Sequence, residues 1–185
     1  MSQAAPFHRH VVTGSLLFLG ATGAAAQDSP GPAANPADVG SVNAILEAVY
    51  DVISGPAGEA RDWDRMRSLF VSGARLIPTG RTQTGESRHR VMTLEEYIES
   101  SGPFLERNGF FEREIGRVSE RYGKIVHAFS AYDSRRTAED AEPFARGINS
   151  FQLWHDGSRW WVVSIFWEAE TPDNPIPDRY LKGIN

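Results

Sequence analysis

Between Arg146 and Glu168 the chain reads RGINSFQLWHDGSRWWVVSIFWE, two apolar, aromatic-rich runs on either side of His155-Asp156-Gly157-Ser158. Asp-Gly between runs of that kind is a strong short-range signal for a β-hairpin. With Asp156 and Gly157 as the central turn residues, Trp154 faces Arg159 and the side chains sort into two sets. One holds Ile148, Ser150, Gln152 and Trp154 with Trp161, Val163, Ile165 and Trp167. The other holds Asn149, Phe151 and Leu153 with Trp160, Val162, Ser164 and Phe166. Both sets are largely apolar. Such a hairpin has to be covered on both faces, by helices on one side and by a partner chain or further protein on the other.

Residues 1–26 have the layout of a secretory signal peptide: a short stretch ending His8-Arg9-His10, an apolar run from Val11 to Gly23, and small residues Ala24-Ala25-Ala26 before Gln27. The run falls short of the ~20 apolar residues a membrane span needs. The expectation is a periplasmic or secreted protein with Gln27 as its first residue, which mass spectrometry of envelope or medium protein would show. The chain has no cysteine, so disulfide and thiolate chemistry are excluded and the core alone carries stability. A net charge of −5 without a basic stripe argues against nucleic acid and anionic membrane surfaces as partners.

Residues 27–40, rich in Pro, Ala and Gly without periodicity, read as a flexible leader. A first helix follows, with Ser41 as N-cap, one apolar face through Val42, Ile45, Leu46, Val49 and Ile53, and a stop at Gly55-Pro56. Asp62 caps a second, short helix with Trp63, Met66 and Phe70 on one side. Short strands are expected over 74–78 and 88–92. Thr93 and Glu96 then form a capping box, and Gly102-Pro103 is expected to break or kink that third helix. From Phe110 onward the period changes to two, giving strands over 110–120 and 125–132 ahead of the hairpin, with a Pro-rich tail, residues 171–185, as a strap over the domain. Helices segregated ahead of a mostly antiparallel sheet indicate an α+β fold.

This order, with Asp62-Trp63-Asp64-Arg65, Gly109-Phe110-Phe111-Glu112, Gly147-Ile148-Asn149-Ser150 and Gly157…Trp160-Trp161, resembles the nuclear-transport-factor-2-like superfamily, and within it the exported SnoaL-like proteins of bacteria. The resemblance covers residues 41–170. It implies a cone-shaped roll: a curved, mostly antiparallel sheet of about six strands wrapped around three helices of the N-terminal half, with a pocket inside and dimerisation through the outer face. The fold hosts isomerases, dehydratases, cyclases and non-catalytic binders alike, so it does not fix an activity.

The resemblance also makes the hairpin face with Ser150, Gln152, Trp161 and Trp167 the concave one, joined by Val126, Ala128, Ser130 and Tyr132 of the preceding strand. Trp63, Ser130, Tyr132, Ser150, Gln152 and Trp167 are then the candidate ligand-binding residues of a mostly apolar pocket for a small molecule. Tyr132 and His127 are the candidate acid–base groups, with no carboxylate on the chosen inner face, and Glu114 and Arg117 read as solvated or interface charge pairs. The histidines stand apart without metal-ligand spacing, and no metal or cofactor is expected. Phe151, Leu153, Trp160, Val162 and Phe166 form the outer apolar face, which predicts a homodimer that light scattering would register as twice the monomer mass. Three functions follow: a binder of a small, largely apolar molecule, an isomerase-, dehydratase- or cyclase-type enzyme, or a structural dimer module with a filled cone.

Overall fold

A computed structural model describes residues 32–82 and 84–183, so the signal-peptide assignment to residues 1–26 lies outside the described residues. Chain order reaches further toward the N-terminus than the composition of residues 27–40 indicates. Pro36–Val39 form a single helical turn, α1, capped by Asn35; Val39 is in the core, and Asp38 is ion-paired to Arg65 at 2.8 Å. Helix α2, Val42–Ile53, starts where Ser41 Oγ accepts the Ala44 N–H, and buries Ile45, Leu46, Val49, Tyr50 and Ile53. Asp62 caps α3, Trp63–Leu69, through the Arg65 N–H at 2.8 Å.

Strand β1, Phe70–Arg81, is longer than the strand expected over 74–78, and β2, Ser87–His89, is shorter than the one expected over 88–92. β1 is long because two neighbours share it, a later strand pairing at Phe70 and from Arg75 to Pro78 and β2 from Thr79 to Arg81, and those partners override its polar composition. Helix α4, Leu94–Asn108, carries the complete Thr93/Glu96 capping box and runs through Pro103 without a break. Ile98 and Leu105, buried on either side of the proline, hold both halves on the core. Gly102 has a packing reason of its own: a Cβ there would lie 3.1 Å from the Trp63 ring.

Strands β3, Phe111–Tyr122, β4, Ile125–Arg135, β5, Ala145–His155, and β6, Trp160–Ala169, complete a six-stranded sheet in the order β2-β1-β6-β5-β4-β3. Only the β1–β6 pair is parallel. The fold is therefore α+β, an open curved sheet over helices from the N-terminal half, as a cone-like roll requires.

The hairpin forms where expected but turns one residue later. Trp154 faces Trp161, and the Asp156 N–H donates to the Arg159 carbonyl at 3.1 Å, so Gly157 and Ser158 are the central residues. The Asp156 carboxylate closes the turn by accepting from the Ser158 and Arg159 N–H groups and from Trp161 Nε1. Those bonds, Trp161 first, hold its carboxyl far below the usual carboxylate range.

Farther along, Leu153 pairs with Val162 but Gln152 pairs with Ser164, which leaves Val163 as a bulge. One extra residue exchanges the faces of every residue beyond it. The face toward the helices thus carries Asn149, Phe151 and Leu153 with Trp160, Val162, Ile165 and Trp167. Phe151, Leu153, Trp160 and Val162, expected at a dimer interface, are core residues with at most 4% exposure, and of that group only Phe166 is outside.

The convex face is partly covered by the tail. Tyr180, in a 3₁₀ turn, stacks on Phe129 with ring centroids 5.4 Å apart, Ile176 is buried, and the Gly183 carbonyl accepts the Arg117 N–H. A Cβ at Gly116 would collide with the Tyr180 carbonyl, so the tail passes where only glycine leaves room.

Candidate functional site

Side chains of β3 reach the interior through a second bulge. Glu114 pairs with Tyr132, but Gly116 pairs with Ala131, so Ile115 is the extra residue. Strict alternation would set Glu114 and Arg117 on opposite faces; the bulge brings Glu112, Glu114 and Arg117 to the concave side together. Facing them are Ser130, Tyr132 and Ser134 of β4, Asn149 of β5 and Tyr50 of α2.

Glu112 is half-buried by exposure, with its carboxyl group enclosed by protein. Its Oε2 accepts from Ser134 Oγ at 2.8 Å and its Oε1 from Asn149 Nδ2 at 3.2 Å. Asn149 Nδ2 also donates to Tyr50 Oη at 3.2 Å, and Tyr50 Oη lies 2.6 Å from Ser130 Oγ, which donates to Glu114 Oε1 at 2.6 Å. Because the serine's one proton goes to Glu114, Tyr50 must donate to Ser130, and the order of donation is Asn149, Tyr50, Ser130, Glu114. Arg117 continues the network, its Nε 3.3 Å from Glu114 Oε1 and its Nη2 donating to Asn43 Oδ1 at 2.7 Å.

Tyr50 and Glu112 of this network stand in the walls of two cavities. The inner one, of about 120 Å³, lies between the helices and the sheet. Val49, Ile53, Met66, Leu76, Phe151 and Ile165 supply its apolar wall, Tyr97, Tyr132 and Trp167 add rings, and Glu112, Asn149 and Tyr50 are its polar side. The outer one, of about 680 Å³, is a cleft between α2 and β3–β4 that includes Asn43, Glu114, Arg117, Arg113, Asp133 and Arg135.

Burial raises the Glu112 carboxyl to about 7, against the pull of the Ser134 and Asn149 hydrogen bonds, and the Asp133 charge pushes in the same direction as burial. Burial, with the Glu112 charge, likewise drives the Tyr50, Tyr97 and Tyr132 phenols upward. Glu114 is raised by burial, against the Ser130 hydrogen bond and the Arg117 charge. At Asp133 burial is overridden by Arg135 and Arg113, which hold its carboxyl below the ordinary value. Near neutral pH, Glu112 can therefore both donate and accept a proton next to an apolar cavity.

Of the residues that the sequence nominates, Tyr132 and Trp167 line the inner cavity. Ser130 is inside but fully buried, with its hydroxyl committed to Tyr50 and Glu114. Trp63 caps the helix layer, its Nε1 donating to Glu106 Oε1 at 3.1 Å, and does not line the cavity. Ser150, Gln152 and His127 stand on the convex face, where His127 Nε2 is 3.0 Å from Ser150 Oγ. Choosing the Ser150–Gln152 face as concave joined opposite sides of the sheet, since Ser130 pairs with Asn149 and Ala128 with Phe151. Glu114 and Arg117, read as solvated or interface pairs, belong to the interior network. Glu112, Tyr50, Tyr97 and Asn149 were missed. Counting back from the turn at Gly123 turns Glu112 outward; the one signal that could have corrected this is Gly116, an isolated glycine within the strand beside the extra residue.

No family model and no curated protein matches the chain by sequence. Among solved structures, a protein of unknown function with a cystatin-like fold from Nostoc punctiforme is similar at 12% identity and a TM-score of 0.52, over 71% of this chain and 90% of that one. An NTF2-like protein of unknown function from Shewanella baltica aligns at 14% identity with a TM-score of 0.47, over 69% and 89%. The Kfla4162 protein from Kribbella flavida aligns at 11% identity with a TM-score of 0.48, over 69% and 86%. At 12% identity the likeness to the Nostoc punctiforme structure is one of fold alone.

Proposed function

We propose that this domain, as a SnoaL-like member of the nuclear-transport-factor-2-like superfamily, binds a small, largely apolar molecule inside the cone. The observation that carries the reading is the inner cavity, apolar except for Glu112, Asn149 and tyrosine hydroxyls on one side. A wall of that kind takes up an apolar body and orients one polar group. Filling the cavity separates a binding site from a packed core, since overpacking a filled core costs about 1–3 kcal/mol. In Val49→Phe the new ring is expected to occupy the cavity. The melting temperature should stay near wild type while the tryptophan-fluorescence response to toluene is lost; a strongly lowered melting temperature would mean that the space is packed core.

The second reading is acid–base catalysis of the isomerase, dehydratase or cyclase type, favoured by the position of Glu112, whose carboxyl burial raises to about 7. Glu112 serves this role better than either sequence candidate. Burial raises the Tyr132 phenol, leaving it a weak acid, and His127 is on the opposite face of the sheet. Under this reading Glu112→Gln abolishes turnover of a carbonyl or hydroxyl substrate and leaves its binding intact.

A further inference from the structure

Arg117 is buried to 2% exposure in the wall of the outer cleft, and its donors are only partly used. Nη2 is held by Asn43 Oδ1. Glu114 Oε1 lies 3.3 Å from Nε, close enough to balance charge, but no hydrogen bond forms there and that oxygen already accepts from Ser130. Nη1 has no partner among the described residues. A buried donor left without an acceptor is costly, and more so on a cation, so such groups are found where something else completes them.

The surrounding charge indicates what completes this one. On the same wall Arg113, Arg117 and Arg135 face three carboxylates, Asp133, which Arg113 and Arg135 share through contacts of 3.0–3.3 Å, Glu114 beside Arg117, and Glu112; one positive charge is in excess when Glu112, raised by burial, is protonated. On the facing helix α2, Asp51 is bound by Arg65 and Glu47 is exposed to solvent. Arginine donates to a carboxylate oxygen at shorter range and with about twice the strength that it shows toward a neutral acceptor.

We propose that Arg117 holds the carboxylate of the ligand in the outer cleft, and that the ligand class is therefore small amphipathic acids, with the apolar body in the inner cavity. This rests on the binding reading above. The two cavities share Tyr50 and Glu112, so one molecule that passes between them has its apolar and charged ends matched separately.

The test is calorimetric titration with phenylacetate, phenylpropionate and phenylbutyrate, each against its neutral amide, with toluene as a probe of the inner cavity alone. At least one acid should bind ten-fold or more tighter than its amide, and Arg117→Met should bring that ratio to about one while toluene binding is unchanged. In wild type, the Arg117 Nε–H resonance should shift on addition of the acid and not of the amide. If Arg117→Met does not fold, the wild-type acid-to-amide ratio and the Arg117 Nε–H shift carry the test. Equal binding of every acid and its amide, with toluene still bound, overturns the acid class and leaves the cavity reading standing. A shift of Arg117 with acetate but no toluene binding keeps the anion site and overturns the cavity reading. Binding of neither toluene nor any acid overturns both.

Discussion

Arg61 and Arg117 are almost equally sealed from solvent, at 7% and 2% exposure, yet their surroundings differ in kind. Arg61 donates to carbonyl oxygens throughout: Nε to Ile53 at 3.1 Å, Nη1 to Glu59 at 2.6 Å, and Nη2 to Gly55 at 2.6 Å and Leu105 at 3.2 Å. Ile53 and Leu105 lie in the last turns of α2 and α4, where unpaired carbonyls and the negative ends of the helix dipoles collect. One guanidinium thereby ties two helix ends and the loop between α2 and α3, and Gly55 lets it approach because a Cβ there would be 2.7 Å from Nη1. Arg117 has one hydrogen bond, one charge partner and an idle nitrogen. A buried charge that satisfies the backbone holds the fold; a buried charge with donors to spare is kept for something else.

The largest effect is expected at Arg61. Arg61→Ala leaves several buried carbonyls without donors and should cost about 3–4 kcal/mol in a urea unfolding experiment. Arg61→Lys should recover little, because an ammonium cannot span carbonyls that a planar fork reaches. A loss under about 1 kcal/mol for Arg61→Ala would break the comparison from its structural side.

Glu112 sharpens the other side, through pH. A carboxyl raised on folding binds its proton more tightly in the native state, so its stabilisation is complete below the ordinary value of 4.5 and is lost as pH climbs through about 7. The raised Glu114 acts in the same direction, whereas the depressed Asp133 matters only at lower pH. Wild type should therefore be less stable at pH 8 than at pH 5, by about 2–3 kcal/mol at roughly 1.4 kcal/mol per unit of pKa. Glu112→Gln should flatten most of that slope. Urea midpoints that rise with pH between 5 and 8 would contradict the burial of this carboxyl.

What could be read in advance follows the range of the interaction. The Ser41 and Asp62 caps, the Thr93/Glu96 box and the hairpin at Gly157 are set by residues within a few positions of each other, and all appear in the structure. The α+β roll follows from their order. Of the two bulges, the one at Val163 has no glycine or proline beside it, while the one at Ile115 has Gly116, an isolated strand glycine that fits either a bulge or a close backbone approach. Each reverses the faces of a strand, and the site depends on both: one turns Glu112 inward, the other brings Trp167 to the cavity. Alternation carried unbroken through Val163 sets Trp167 on the face of Ser150 and Gln152. No local signal marks Arg61, since its partners are carbonyls whose convergence depends on how α2 and α4 end in space.

The smallest effect is expected at Arg117, and it decides whether the two arginines differ as their contacts indicate. Arg117→Met keeps much of the length and packing of the side chain and removes the idle donor together with its desolvation cost. Two interactions are lost. Asn43 is exposed, so water can replace the guanidinium at its Oδ1. Glu114 loses its balancing charge but, being already raised by burial, can take up a proton instead. At pH 5 the variant should therefore unfold within about 1 kcal/mol of wild type, in the range by which apolar replacement of buried ion pairs is tolerated. At pH 8, where neutralising Glu114 is costlier, the deficit should grow. A loss at pH 5 as large as that of Arg61→Ala would mean that Arg117 holds the fold in the same way, and the idle nitrogen would then say nothing about a ligand.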